Sequence, residues 1–193
     1  MESKLYKILK AFKGANGDEK NLSAEFEKIA NAAFFSGYFL VNGGTEEAYK
    51  LKLTCIEFYY HEDEGNIQDK SKYLKGKDEF GYALGAICPN PSGVDVLFDA
   101  PDKKYHASFL IRGYKALVHG ENDWENNDKK KDWAPHDFWY DFFGGADMLN
   151  TGKFSIEWVD EAEDTADVIE AMPRVNINDN RMWGYKRVTD YDN

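Results

Sequence analysis

Several features that would name a chemistry outright are scarce or missing. Only two of the 193 residues are cysteine, Cys55 and Cys88, far apart in the chain. Two distant thiols rule out a disulfide-built scaffold, and no Cys/His spacing matches a zinc site. They are expected as reduced thiols in a cytoplasm. No apolar run approaches the ~20 residues needed to span a bilayer. The opening Met1–Lys10 lacks the apolar core of a secretory signal, so a cytoplasmic protein away from membranes is expected. There is no phosphate-binding Gly-x-x-x-x-Gly-Lys-Ser/Thr, no Gly-x-Gly-x-x-Gly, no His-Glu-x-x-His and no Gly-x-Ser-x-Gly. No cofactor and no metal are expected on these grounds.

Positive charge is also short. Lys and Arg number 24 against 35 Asp and Glu, a net −11. Non-specific nucleic-acid binding relies on cations that neutralise phosphates, so this balance argues against a broad nucleic-acid track, although local patches decide. The lysines at Lys70, Lys72, Lys75 and Lys77, and at Lys129–Lys131, read as solvated loops.

What is present suffices for a sizeable core: 42% of the residues are hydrophobic and 16% of the whole chain is aromatic. The length suits one domain spanning 1–193, with a helical extension over 1–20 and the core over 21–188. Leu5, Ile8, Leu9 and Phe12 have helical spacing. So do Leu22, Phe26, Ile29, Ala30 and Ala33, with Ser23 as a cap and Gly37 as a stop. Gly37–Val41 reads as a strand joined through Asn42-Gly43-Gly44-Thr45 to the next one in an antiparallel hairpin. Residues 61–80 read as a long loop of the kind that carries function. Pro89–Gly93 is expected to break the chain, Val94–Phe98 and Tyr105–Tyr114 to be strands. The aromatic-acidic run Trp133–Phe143 suggests a short helix, a docking surface or a satellite core. The seven acids from Glu157 to Glu170, followed by Pro173, read as a helix with an acidic first turn. Arg174–Ile177 and Arg181–Val188 are strand-like. The fold class expected is α+β, a mostly antiparallel, strongly curved sheet, partly open and barrel-like, with peripheral helices.

The clearest strand is Tyr49–Tyr60. Plain alternation places Leu51, Leu53, Cys55, Glu57 and Tyr59 on one face, which the apolar members turn toward the core. Glu57 is then a carboxylate on an inward face. Such a group is either a functional acid or base, or a structural partner of an arginine. Arg112 closes the other long strand and needs a carboxylate or phosphate; Glu57 is one candidate.

The order of segments resembles the 3-methyladenine (alkylpurine) DNA glycosylases. Cys55-Ile56-Glu57-Phe58-Tyr59 is similar to that family's Glu-x-Glu-Ala-Tyr strand, and Phe109-Leu110-Ile111-Arg112-Gly113 to its Val-Leu-Leu-Arg-Ala. Met172-Pro173-Arg174-Val175-Asn176-Ile177 resembles its Pro-Arg-(Val/Ile)-Gly-(Val/Ile), and Met182–Lys186 its aromatic ending. The resemblance implies Glu57 as the catalytic base and Tyr59 as part of the pocket lining. In a hydrolase of this kind Tyr60 is expected as a second aromatic wall, Arg112 to orient Glu57 or contact a phosphate, and Arg174, in the Pro-Arg motif, to bind substrate. The chain departs from the pattern at Cys55, at Gln68 where the family has histidine, and over Val94–Asp102, which lacks its tyrosines. The reaction implied is water-driven cleavage of an N-glycosidic bond of a modified purine, in DNA or in a nucleoside-type small molecule. The alternative is a non-enzymatic acidic module that docks a basic protein partner or imitates nucleic acid. A monomer is expected in either case.

Overall fold

The computed structural model of the chain describes residues 2–15, 18–46, 48–62, 64–69, 84–90, 93–100, 104–119, 124–132, 142–143, 155–175 and 177–189. Two helices come first, α1 (Lys4–Ala11) and α2 (Glu19–Phe35). Ser3 caps α1 by accepting the Tyr6 N–H. Asp18, and not Ser23, caps α2 by accepting the Lys20 N–H at 2.9 Å, because a cap needs extended backbone and Ser23 already lies within the helix. The expected apolar stripe of α2 is buried, and α2 lies across the sheet.

Among the described residues nine strands follow in one sheet: β1 (Gly37–Val41), β2 (Tyr49–His61), β3 (Ile87–Asn90), β4 (Gly93–Leu97), β5 (His106–His119), β6 (Trp124–Asp132), β7 (Ile156–Asp160), β8 (Asp167–Met172) and β9 (Gly184–Thr189). Every pairing is antiparallel. The long β2–β5 ribbon is its spine. One stretch of β2's free edge takes β1 and another takes β9. The free edge of β5 is shared in the same way by β4 and β6. Strands β7, β8 and β3 extend the sheet beyond β1, β9 and β4. Among the described residues β3, β6, β7 and β8 each pair on one edge, so the sheet stays open.

Four segments differ from the expectations above. Residues 167–172 form strand β8 and no helix. The ladder from Asp167↔Thr189 to Met172↔Gly184 takes up their backbone groups, and Val168 and Ile169 are β-branched. The break expected over Pro89–Gly93 is narrower: β3 ends at Asn90 and β4 begins at Gly93, and Pro89 itself sits opposite Val94 in β3, an edge strand where a missing N–H is tolerated. Residues 124–132 are a strand on β5, and residues 174–175 form a turn rather than a strand. The loop lysines at 70, 72, 75 and 77, and residues 133–141 of the aromatic run, lie outside the described residues. Within the run Phe142 is fully buried against Phe39 and Tyr114, so it belongs to the core.

The spine changes face in mid-course, and this decides where Glu57 points. Leu51 and Leu53 are in the core, but so are Ile56, Phe58 and Tyr60. The same happens on β5, where Ala107, Phe109 and Ile111 are followed by Tyr114 and Ala116. From the pair Leu53↔Tyr114 to the pair Ile56↔Ile111 is three residues on each strand, with a register irregularity between them. An odd step reverses which face a strand presents. Because both strands reverse together, their mutual register survives. Glu57 and Tyr59 therefore leave the helix-covered face. The inward orientation read from plain alternation is wrong by one bulge.

The core is unusually aromatic where the helices meet β2. Phe26 of α2 stacks on Phe58 with ring centres 4.3 Å apart and 5° between planes. Phe98, Phe109 and Tyr185 meet Phe58 at steeper angles. Phe12, just after α1, touches Tyr60, Phe98 and Tyr105, so the N-terminal segment shares this core.

Candidate functional site

Glu57 sits on β2 between Leu110 of β5 and Gly184 of β9. Its side chain is 0% exposed. One carboxylate oxygen, Oε1, accepts the Val175 N–H at 2.6 Å and lies 3.5 Å from Nε of Arg112. The other, Oε2, accepts the Tyr59 hydroxyl at 3.0 Å. A buried carboxylate is tolerable only with such partners, since leaving one uncompensated costs several kcal/mol, on the order of 3–5. Arg112 reaches Glu57 because it occupies the face reversal on β5, next to Gly113. Val175 reaches it because Gly184 has no side chain: a Cβ there would lie 2.9 Å from the Met172 carbonyl oxygen and 3.1 Å from that of Pro173. The glycine lets the chain after β8 fold back onto the spine. Burial, reinforced by the Glu57 charge, holds the Tyr59 phenol far above its ordinary pKa, so it remains a proton donor throughout the physiological range.

Arg174 is part of the same structure but plays a different part from Arg112. Its guanidinium, fully buried, donates to Asp69 at 2.5 and 3.3 Å, to Asp179 at 2.6 Å and to the Phe58 carbonyl at 3.2 Å. Its guanidinium carbon lies over two rings, 4.9 Å from the centre of Tyr59 and 5.2 Å from that of Trp183. Arg181 lies over the ring of Trp183 at 4.0 Å and also pairs with Asp179. Hydrogen bonds from Arg181 hold the Asp179 carboxyl down at about 2. Asp69 is fixed in turn by its own N–H, donated to Nδ1 of His61 at 3.2 Å.

Cross-strand partners share a face. The register Cys88↔Asp95↔Leu110↔Glu57 therefore lines up Cys88, Asp95 and Glu57 on one side of four strands. Asp95, buried, stands two strands from Glu57, ~10 Å between backbones at the usual strand spacing. His61 and His106 are opposite each other further along the same face; Nδ1 of His106 lies 3.3 Å from Asp99. Among the described residues no group of three or more His, Cys, Asp or Glu is arranged to hold a metal ion.

Of the five residues singled out in the sequence, the structure brings together four: Glu57, Tyr59, Arg112 and Arg174. Tyr60 is elsewhere. It lies on the opposite face, 0% exposed, with its hydroxyl accepting the Ala15 N–H at 2.9 Å and donating to Glu62 at 2.6 Å. It packs on Tyr105, and the face reversal is the reason. Asp69, Asp179 and Trp183 were not anticipated as members. Asp69 falls within the long loop suspected of function, and Asp179 lies in Asn178-Asp179-Asn180-Arg181, whose acid–base spacing was the one usable signal.

No family model, no curated protein and no solved structure matches this chain. No helix among the described residues is long and apolar enough to cross a membrane.

Proposed function

We propose that the protein hydrolyses the N-glycosidic bond of a modified purine, on a scaffold akin to that of the alkylpurine DNA glycosylases, with Glu57 as the catalytic base. One observation carries the reading. Three segments far apart in sequence, each similar to a motif of that family, meet at a single carboxylate: the Glu57–Tyr59 strand, Arg112, and Val175 of Pro173-Arg174-Val175.

The chemistry asks for little beyond this group. Glu57 takes a proton from a water as its oxygen bonds to the anomeric carbon, and the bond to the base nitrogen breaks with its electron pair leaving on the base. The carboxylate also stabilises the positive charge that develops on the sugar. Arg112 and the Val175 N–H fix the orientation of the carboxylate, and the Tyr59 ring offers a surface for the base. With Glu57 covered, substrate must displace part of its cover, and Tyr59 is the half-buried member. A net charge of −11 favours a nucleoside, a nucleotide or a short single strand over a duplex. The test is release of free base from alkylated and deaminated purines presented as nucleosides, single strands and duplexes. Release that disappears in Glu57→Gln supports the reading, and no release from any of them ends it.

The full burial of Glu57 favours a second reading, in which it is a structural pin and the protein is a binding module. The acidic stretch over 157–170 is largely drawn into ion pairs within the chain. Of its seven acids, Asp160 accepts the Lys4 N–H, Glu161 and Glu163 pair with Lys50 and Lys52, Glu163 and Asp167 with Arg187, and Glu170 with Lys186. Under this reading Glu57→Gln lowers stability and changes no catalytic rate.

A further inference from the structure

We infer that Arg174 is a positioning residue that holds both uncharged donors of Glu57, and that Asp69 and Asp179 are the clamp that keeps it there. The inference rests on Glu57 being the working carboxylate of the site proposed above. It replaces the substrate-binding role that the resemblance gives to Arg174.

A substrate-binding guanidinium has to present its N–H groups to a ligand. The N–H groups of both terminal nitrogens of Arg174 are committed to Asp69, Asp179 and the Phe58 carbonyl; only the Nε N–H lacks a partner, and the side chain has no exposed surface through which a ligand could reach it. What it touches instead is the apparatus around Glu57. Its guanidinium lies over the ring of Tyr59, whose hydroxyl donates to Oε2. Its own peptide bond leads to Val175, whose N–H donates to Oε1 at 2.6 Å. One side chain thus fixes the direction of a phenol and the position of an amide, and both converge on the same carboxylate.

The clamp explains why an arginine is needed. Asp69 takes two N–H groups of the guanidinium, one from each terminal nitrogen. A fork of this kind fixes the plane as well as the position, which a lysine ammonium cannot do. Phe58 is the residue between Glu57 and Tyr59, so the bond to its carbonyl ties the guanidinium to the very stretch of β2 that it serves. The guanidinium also lies over the ring of Trp183, as does that of Arg181. The segment carrying Asp69 is thereby coupled to the site, although Asp69 does not itself touch Glu57.

The experiment is amide NMR of the whole chain, read at Val175, in Asp69→Asn and Arg174→Lys, with Glu57→Gln as the reference for a changed acceptor. A short N–H to carboxylate bond places that proton far downfield. Both variants are expected to move it upfield and to speed its exchange with solvent while signals of the α2–β2 core stay in place. An unmoved Val175 amide in a folded variant overturns the inference. Should Arg174→Lys fail to fold, Asp69→Asn and Asp179→Asn give the same reading from the clamp side. Where base release is measurable, misplacing the carboxylate is expected to lower kcat by up to about 10²-fold with KM little changed. A fall in substrate affinity alone would return Arg174 to substrate binding. If the wild type releases no base, the hydrolase reading fails, and the Val175 amide still decides whether Arg174 positions it.

Discussion

Replacing Phe58 by Ala tests the face reversal on which the placement of Glu57 depends. Plain alternation along β2 puts Phe58 on the outer face and Glu57 and Tyr59 inside. The reversal at Thr54–Cys55 puts Phe58 inside, fully buried, stacked on Phe26 and edged by Phe98, Phe109 and Tyr185. Truncating a phenylalanine so enclosed removes its transfer free energy and leaves a cavity, together about 3–5 kcal/mol. That is a large share of a stability of about 5–15 kcal/mol. With a urea slope of about 2 kcal/mol/M, the unfolding midpoint drops by about 2 M. The neighbouring change Tyr59→Phe leaves the ring on Arg174 and removes only the hydroxyl bond to Glu57, about 1.5–3 kcal/mol for a bond to a charged group. Urea denaturation followed by tryptophan fluorescence and by circular dichroism reads both. A Phe58→Ala protein within 1 kcal/mol of wild type would place Phe58 on the outer face. The account of Glu57 would fall with it.

Three further outcomes follow from the ion pairs and the close contacts. Asp179 has its carboxyl held at about 2 against an ordinary 3.8, so the stability it contributes is complete above about pH 4 and is lost as pH falls toward 2; Asp179→Asn should be less stable than wild type at pH 7, the gap closing below pH 4 in acid denaturation. Arg187→Met strips the partner from Glu163 and Asp167, both held at 2.5 Å, and should cost about 1.5–3 kcal/mol in urea. Burial alone would raise the Glu163 carboxyl, and hydrogen bonds from Lys52 and Arg187 outweigh it, so Arg187→Met should also move that carboxyl upward in a carbon-detected NMR titration. Gly37→Ala would set a Cβ 2.0 Å from the Val159 carbonyl oxygen, where β1 meets β7, and should cost about 1–3 kcal/mol, seen as a lowered thermal midpoint.

Much of the scaffold was legible in the sequence. Helix α2, the β1–β2 hairpin and the two long strands were written in periodicities that one face of the core enforces. The errors have local causes. Residues 167–172 looked helical because acids crowd ahead of Val168 and Ile169. Those acids are spaced for Lys50, Lys52, Lys186 and Arg187, cations on strands remote in sequence, which no local window contains. Pro89 looked like a breaker because nothing local marks an edge strand. At the site, Glu57, Tyr59 and Arg112 could be picked out as polar groups at strand ends, and Arg174 by resemblance. The face of Glu57 could not, because the odd step at Thr54–Cys55 shows only against its counterpart at Arg112–Gly113. Asp69 was hidden for a related reason: its partner, Arg174, is 105 residues away.

The catalytic standing of Glu57 is the central claim, and it is tested most directly by single-turnover base release from the best-cleaved modified purine, comparing wild type with Glu57→Gln in samples shown by urea denaturation to be folded. The glutamine keeps the shape and an acceptor for the Val175 N–H while removing the base. Release by the wild type that falls by orders of magnitude in a folded variant is the result expected. Release undiminished in Glu57→Gln would contradict the claim and leave Glu57 as a structural pin between β2 and the turn at Val175.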